Sequence, residues 1–357
     1  MNEHPIFIFI DPGTSMVKFG MNYAGLTETD EVESYFYPQP GVYPGKESYT
    51  LVEPSSFAGL VGMPVKDVEP DNITREANFY TTPKFPQAIF YAIATMLDKY
   101  DLPEYVSLWL GIALPHAHIG KAETIRQKLQ KTWNIGKADQ MIRQVTIERV
   151  IVETQSKAVA LDQVFQWKQN GKGLVLDSER GKRLLRNGAM YVFLSGSNSL
   201  EQGLLTGRFD QFVSESKFTG SFDLLPQLQQ KAFDLTSENL SQYELMYQAL
   251  KNGRITLERQ LYNFETINRQ LLTQYFESQD INRAVQMFLR TYKVRPYTAI
   301  LAGGNVVLGR ETLQTVYQKK FQQILIARDD RDVAEPVYAV RRGLEKDMVF
   351  EWEKSKN

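Results

Sequence analysis

Cysteine is absent from this chain, which removes disulfides, thiolate nucleophiles and thiolate metal sites and fits a reducing compartment, so the cytoplasm is the expected location. A charge excess is missing too. Against 42 Asp and Glu stand 41 Lys and Arg, a formal net charge of -1; no global pull toward DNA, RNA or anionic lipid exists, and any nucleic-acid contact has to be local. Nor is there a long apolar run. The stretch Ile6–Ile10 is far too short to span a bilayer and follows Glu3 and His4 rather than a basic segment, so neither a membrane helix nor a signal peptide is expected. Low-complexity tracts and short-period repeats are also absent.

What the chain does have is size and an ordinary globular balance. Its 357 residues are 43% hydrophobic and 23% charged, enough for two domains with two sizeable cores. Ile6 to Ile10 reads as a buried strand, Asp11-Pro12-Gly13-Thr14 as a turn, and Met16, Lys18 and Gly20 as the start of a second strand. From Tyr35 to Phe85, residues rich in Pro, Gly, Tyr and Phe show no helical period and suggest short strands and loops, a small subdomain. Ile89, Phe90, Ile93, Met96 and Leu97 then give Ala88–Lys99 the spacing of an amphipathic helix facing a sheet.

The alternation continues with a buried strand over Val106–Ala113, stopped by Leu114-Pro115, a helical pattern over Gly120–Thr132, a strand over Val145–Val152 and a helix over Ser156–Gln169. Asn170-Gly171 breaks that helix, and the first domain is expected to end near it. The basic stretch Arg180–Arg186 reads as a solvated hairpin. A strand over Met190–Leu194 follows, with Leu204–Phe212 completing a hairpin, and then helices over Asp223–Phe233 and Ser241–Leu250 and a long helical region over Ile255–Tyr292. Strands over Tyr297–Leu301 and Gln323–Ala327 and a helix over Pro336–Lys346 close the chain. Strands running into helices mark an α/β protein.

Three turns carry chemistry. In Asp11-Pro12-Gly13-Thr14-Ser15-Met16-Val17-Lys18 a glycine lets the backbone approach a phosphate, hydroxyls and amides bond its oxygens, a lysine supplies charge, and an aspartate at the strand end can hold the water shell of a magnesium ion. Taken alone, the same residues serve equally as a plain hairpin turn. Ser195-Gly196-Ser197-Asn198-Ser199 again sets small, donor-rich residues after an apolar strand, so two loops can clamp one phosphate chain. Gly303, Gly304 and Asn305 form a third turn suited to close backbone approach. His116 and His118 flank Ala117 with no third ligand in view and read as loop residues, not metal ligands.

The order of these segments resembles the filament-forming actin-like ATPases of bacteria, the ParM-like plasmid-segregation family within the actin/Hsp70/sugar-kinase superfamily. Asp11, Gly13 and Lys18 match its first phosphate motif, Gly111-Ile112-Ala113-Leu114-Pro115 its Gly-Leu-Pro strand end, and Val152–Ser156 the segment that positions the attacking water, with Gln155 as that residue. Ser195–Ser199 stands at the second phosphate motif, Ala302–Asn305 at the adenosine motif and Tyr338–Gly343 at the closing helix. The resemblance implies an actin-like (ribonuclease H-like) two-domain α/β fold with a nucleotide cleft between the domains. Domain I would be 1–160, with a C-terminal helix over about 336–350 packing back on it, and domain II 161–335.

It further implies ATP or GTP with Mg2+ as cofactors, Asp11 and Gln155 in catalysis, and Asp11 holding the metal through water. Nucleotide contacts would come from Gly13, Thr14, Ser15, Lys18, Ser195 through Ser199, Gly303, Gly304 and Asn305, and the partners would be other copies of the chain and a DNA-binding adaptor. One departure stands out. The second phosphate motif normally begins Asp-x-Gly, and here Leu194 occupies the aspartate position, with Asp177 and Glu179 as replacements only under a displaced alignment. The absence of that aspartate implies slow hydrolysis, a shifted metal arrangement or binding without turnover, so a nucleotide-binding scaffold and a small-molecule kinase of the same fold remain alternatives.

Overall fold

A computed structural model describes residues 5–34, 36–37, 48–51, 57–61, 79–100, 102–137, 141–168, 173–176, 178–207, 211–217, 219–328 and 336–356. The uninterrupted apolar run Ile6–Ile10 of β1 (Ile6–Pro12) is explained by cover on both of its faces. Phe7 and Phe9 point to one side, where Trp109 and Trp352 meet Phe7 edge-on at 5.8 and 6.1 Å; Ile8 and Ile10 point to the other. The turn after Pro12 returns the chain as β2 (Met16–Tyr23) and β3 (Leu26–Glu33), an antiparallel meander. Six more strands complete the first sheet: β4 (Phe36–Tyr37), β5 (Ser48–Leu51), β6 (Phe57–Val61), β7 (Tyr105–Leu114), β8 (Thr132–Lys137) and β9 (Arg143–Thr154). Their order is β3-β2-β1-β7-β9-β8-β5-β6-β4, with β1, β7 and β9 parallel.

Helix α1 (Lys84–Lys99) lies on the Ile8 and Ile10 side, with α2 (Ala122–Leu129) beside it. The expected amphipathic helix starts four residues earlier than its pattern and is buried almost all round, because it touches β1 and β2 and also β4, β5, β6 and β8. On the other side comes α3 (Gln155–Val164), whose first turn is capped by the Thr154 side chain accepting from Lys157 N. A hairpin, β10 (Phe165–Trp167) with β11 (Leu174–Leu176), and a short α4 (Ser178–Leu184) lead to the second sheet.

That sheet repeats the plan of the first. β12 (Ala189–Ser195), β13 (Leu200–Thr206) and β14 (Gln211–Lys217) form an antiparallel meander, and β12 pairs in parallel with β17 (Thr298–Ala302), which pairs with β18 (Gln323–Ile326). Between the meander and β17 come α5 (Leu225–Thr236), a π-helix over Glu244–Lys251, the hairpin β15 (Arg254–Leu257) with β16 (Gln260–Asn263), α6 (Glu265–Glu277) and α7 (Gln279–Thr291). Helix α8 (Gly304–Gln318) joins β17 to β18, and α9 (Ala339–Ser355) ends the chain.

Five layers result: α1 and α2, the first sheet, α3 with α9, the second sheet, then α5 to α8. Helix α9 packs on β1 and β7 and α3 on β12 and β13, and the two helices cross each other between the sheets. At the crossing Asp162 receives Arg342 Nη2 at 2.8 Å and Lys346 Nζ at 3.1 Å; Lys346 also donates to the carbonyls of Asp162 and Phe165.

Several sequence expectations are corrected. The region Ile255–Tyr292 is not one long helix: Glu258 and Arg259 both take positive φ (46° and 71°), the two-residue turn of a hairpin, and Ser278 separates α6 from α7 by capping the latter. The basic stretch is not a hairpin but α4, in which Arg180 donates to Gln163 of α3 at 3.1 Å. Gly120–Thr132 is helical only over α2, with a 3-10 turn before it and β8 after it, and the Ser156–Gln169 helix gives way to β10 at Phe165. Helices α8 and strand β3 carried no recognised signal. Of Tyr35–Phe85, the described strands extend the first sheet; Tyr35, the side chains up to Tyr49 and Asn170-Gly171 lie outside the described residues.

A methyl group built at Gly343 of α9 would overlap the Ala158 carbonyl of α3. Gly→Ala inside a helix ordinarily stabilises by about 1 kcal/mol; here Gly343→Ala is expected to destabilise by about 3 kcal/mol through overpacking of the crossing, measured by urea unfolding. A variant as stable as wild type removes the close crossing from the account.

Candidate functional site

Parallel pairing delivers the C-terminal ends of β12 and β17 to one edge of the second sheet, and the packing of the two sheets on α3 and α9 sets the turn after β1 of the first sheet against them. Asp11, the penultimate residue of β1, is buried, and both of its oxygens are taken: Lys18 Nζ donates to Oδ2 at 3.1 Å and Gln155 Nε2 to Oδ1 at 2.9 Å. Lys18 arrives because β2 pairs it directly with Asp11, and Gln155 because it is the first residue of α3 after β9. The two hydroxyl turns meet, with Ser197 Oγ 2.7 Å from Ser15 Oγ. The third joins them through Asn305, whose Nδ2 donates to the Gly196 carbonyl at 2.7 Å and to Ser195 Oγ at 3.1 Å. Gly303 holds φ at 98°, and any side chain there would run into Ser195.

These residues surround a cavity of about 340 Å³. Its wall includes Asp11, Gly13, Thr14, Ser15, Lys18, Gln155, Gly196, Ser197, Asn198, Ser199, Gly303, Gly304 and Asn305. Ser195 does not reach it: the side chain is fully buried behind Asn305. Other wall residues had no motif to announce them. Tyr247 and Lys251 come from the π-helix, where Tyr247 donates its hydroxyl to the Ser15 carbonyl and Lys251 Nζ lies 3.8 Å from Glu31. Tyr80 donates to the Pro12 carbonyl, and its phenol is pushed well above the usual range by burial, then by Asp11 and Glu201. Met246, Leu250, Val307, Leu308 and Val337 add apolar surface. The sequence carried a helical pattern for Ser241–Leu250, but not the π register that turns Tyr247 and Lys251 toward the turns.

Leu194 sits on the wall as an apolar side chain, so no carboxylate stands at that position. Glu179 is an exposed residue of α4 beside Lys182, and Asp177 lies outside the described residues. A different carboxylate is nearby. Strand pairing sets Glu201 of β13 directly opposite Leu194, and it is fully buried: Oε1 accepts from Ser156 N at 2.8 Å and from Ser156 Oγ, while Oε2 accepts from His116 N at 3.0 Å. Burial pushes Glu201 up to about 7, against the opposing donors from Ser156 and His116. Both oxygens being engaged, Glu201 ties the second sheet to the residue after Gln155 and does not open onto the cavity. It was missed because nothing in Leu200-Glu201-Gln202 distinguishes it from an exposed strand position. His116 Nδ1 meets Ser214 Oγ at 2.8 Å and His118 packs on Tyr80, and among the described residues no three His, Asp or Glu side chains are grouped to hold a metal.

The donor set has a definite chemistry: hydroxyls and amides from three turns around the Asp11–Lys18 pair, with Lys251 and Glu31 as a second pair at the wall. It suits an anionic, phosphate-like group, and it suits Mg2+ kept largely hydrated and shared with phosphate oxygens, which needs only one or two protein carboxylates. An all-protein metal cage is not available here.

No protein-family model matches the sequence, and no curated protein does. Solved structures do match in shape. Bacillus thuringiensis ParM with ATP superposes with a TM-score of 0.74 at 15% identity, covering 99% of this chain and 100% of that one. Ta0583, an archaeal actin homolog, gives 0.70 at 14% over 97% and 99%, and the actin-like protein Alp7A 0.67 at 14% over 98% and 97%. The chain therefore has the actin-like, ParM-type fold that its motif order implied. No helix among the described residues is long and apolar enough to cross a membrane.

Glu201 binds its proton more tightly folded than unfolded, so the folded state holds the extra proton between about pH 4.5 and 7, and this contribution to stability is lost as pH rises through that window. Glu201→Gln removes the dependence. Between pH 5 and pH 8 the urea-derived stability of wild type should fall by about 3 kcal/mol relative to E201Q; a difference that stays constant with pH shows that Glu201 is not held neutral by burial.

Proposed function

With the actin-like fold as the premise, we propose that this chain binds a nucleoside triphosphate, ATP or GTP with Mg2+, in the cavity between its sheets and uses it to control assembly with other copies of itself. The observation that carries this reading is the convergence of three donor-rich turns, from two separate sheets, on Asp11, Lys18 and Gln155. The filament so formed would move or position a plasmid or other DNA in the cytoplasm, through a DNA-binding adaptor. One structure of the same shape, Bacillus thuringiensis ParM, was solved with ATP.

The two lobes are 1–160 with the C-terminal helix, and 161–335. Phosphates lie against Gly13, Thr14 and Ser15 from one lobe and Gly196 through Ser199 from the other, while Gly303, Gly304 and Asn305 face the ribose and base. Lys18 steadies phosphate charge. Gln155 has its Nε2 anchored on Asp11, which leaves Oε1 as the acceptor that orients a water for in-line attack on the γ-phosphate. Bound Mg2+ supplies charge neutralisation, with Asp11 ordering its water shell. No covalent intermediate forms on the protein.

A second reading is favoured by one observation. Leu194 puts an apolar side chain where a second catalytic carboxylate would stand, which favours a scaffold that binds nucleotide and hardly turns it over. A small-molecule kinase of the same fold fits less well, since a substrate base is needed and Asp11 is already engaged by Lys18 and Gln155.

Light scattering with parallel phosphate release, on purified protein with ATP, GTP or a non-hydrolysable analogue and magnesium, separates these. Scattering with release supports a dynamic filament, scattering without release the scaffold, and silence with every nucleotide overturns the reading. Lys18→Ala is expected to weaken nucleotide binding by about 10- to 100-fold. Gln155→Ala should bind normally by calorimetry and release phosphate about 100-fold more slowly.

A further inference from the structure

A second cavity, a groove of about 790 Å³, opens along the stretch of β9 beyond its pairing with β8, between α2 on one side of the first sheet and α3 and α9 on the other. We propose that it is a binding site for an organic cation, an ammonium or guanidinium group. The central feature is Asp347 of α9, which is only 8% exposed, lines the groove and has no hydrogen-bond partner among the described residues. A buried carboxylate without donors is costly, and the groove is the direction from which a donor can come.

The surroundings say what kind of donor. From β9 come Glu148, Arg149 and Glu153, from α3 Lys157, from α9 Glu351 and from α2 Arg126. The cations that line the groove already have partners. Lys157 pairs with Glu153, Arg149 pairs with Glu351 at 3.2 Å and stacks on the Trp109 ring at 4.8 Å, and Arg126 turns to Glu123 at 3.3 Å. Glu153, Asp347 and Glu351 thus face two paired cations, and one further positive charge balances the set. Burial pushes Asp347 up to about 7, with Glu153 adding to the effect and Lys157 opposing it. A metal ion is not the fit, because no group of three metal-ligating side chains exists among the described residues and the groove has the volume of a small molecule or side chain.

The groove backs onto the other cavity. Glu153 and Lys157 line it, while Gln155, between them, reaches Asp11 in the first. Filling the groove therefore bears on the start of α3. That coupling rests on the proposed nucleotide function; cation binding does not, and it is measured without nucleotide.

Calorimetric titration of the full chain with spermidine, and separately with the blocked peptide Gly-Arg-Gly, at pH 6 and pH 8 in low salt, tests the proposal. A proton must leave Asp347 for the cation to pair with it, so with its titration near pH 7 the affinity should be about tenfold higher at pH 8 than at pH 6. Asp347→Asn, of the same shape, should weaken binding at pH 8 by at least about tenfold, and Glu351→Gln by a smaller factor, with circular dichroism unchanged. Spermidine binding alone assigns the site to a free polyamine, peptide binding alone to a basic side chain of a protein. Binding of neither probe, or equal binding by wild type and D347N, overturns the proposal.

Discussion

The crossing of α3 and α9 sets the distance between everything else. Among the described residues these helices form the layer between both sheets, and Gly343 lets them approach until α9 rests on the Ala158 carbonyl. Beside that contact Asp162 is fully buried between Arg342 and Lys346. Such a cluster is weak evidence of net stabilisation, but removing one partner leaves an uncompensated buried charge at about 3–5 kcal/mol. It acts as a registration device. With α3 held against α9, the first residue of α3, Gln155, reaches from the end of β9 to Asp11 at the end of β1, 2.9 Å away.

From that spacing follows the character of the first cavity. The two meanders are built alike, and each contributes its first turn to the same gap, so that Ser15 and Ser197 touch across it. Tyr247 and Lys251 add two more links between the second sheet's helices and the β1–β3 meander. These are polar contacts, the kind that exchanges for water at little net free energy, beside one apolar contact, Met16 of β2 packed into the core of the second sheet's helices. The contacts across the cavity are thus largely polar, while the layer between the sheets is apolar and close-packed.

Leu194 and Glu201 show the same division. An apolar side chain faces the gap and a carboxylate, opposite it on the next strand, is enclosed by donors from Ser156 and His116. Charge has been withdrawn from the cavity wall into a strut behind Gln155. The result is a cavity wall that is apolar at Leu194 and has a rigidly backed amide at Gln155.

Much of this was legible in the residues. Continuous apolarity identified β1, β7, β12 and β17, since strands covered on both faces have no reason to alternate, and small, hydroxyl-bearing or glycine residues after three of them marked the turns. Their order along the chain was enough to anticipate the actin-like fold. What the residues alone did not contain is proximity. Ser195 reads like its neighbours, yet its alternation in β12 turns it into the core; Glu201 reads like any strand glutamate, yet pairing places it behind the site. Helix α8 was hidden behind a Gly-Gly that also suits a plain turn, and the hairpin β15–β16 behind residues that suit a helix. Local sequence thus determined which segments are strands and which turns offer donors, because those depend on a residue and its near neighbours. Tertiary structure decided which carboxylates are buried, which lysines are already paired and which turns share a cavity, because burial and charge pairing depend on elements far apart in the chain.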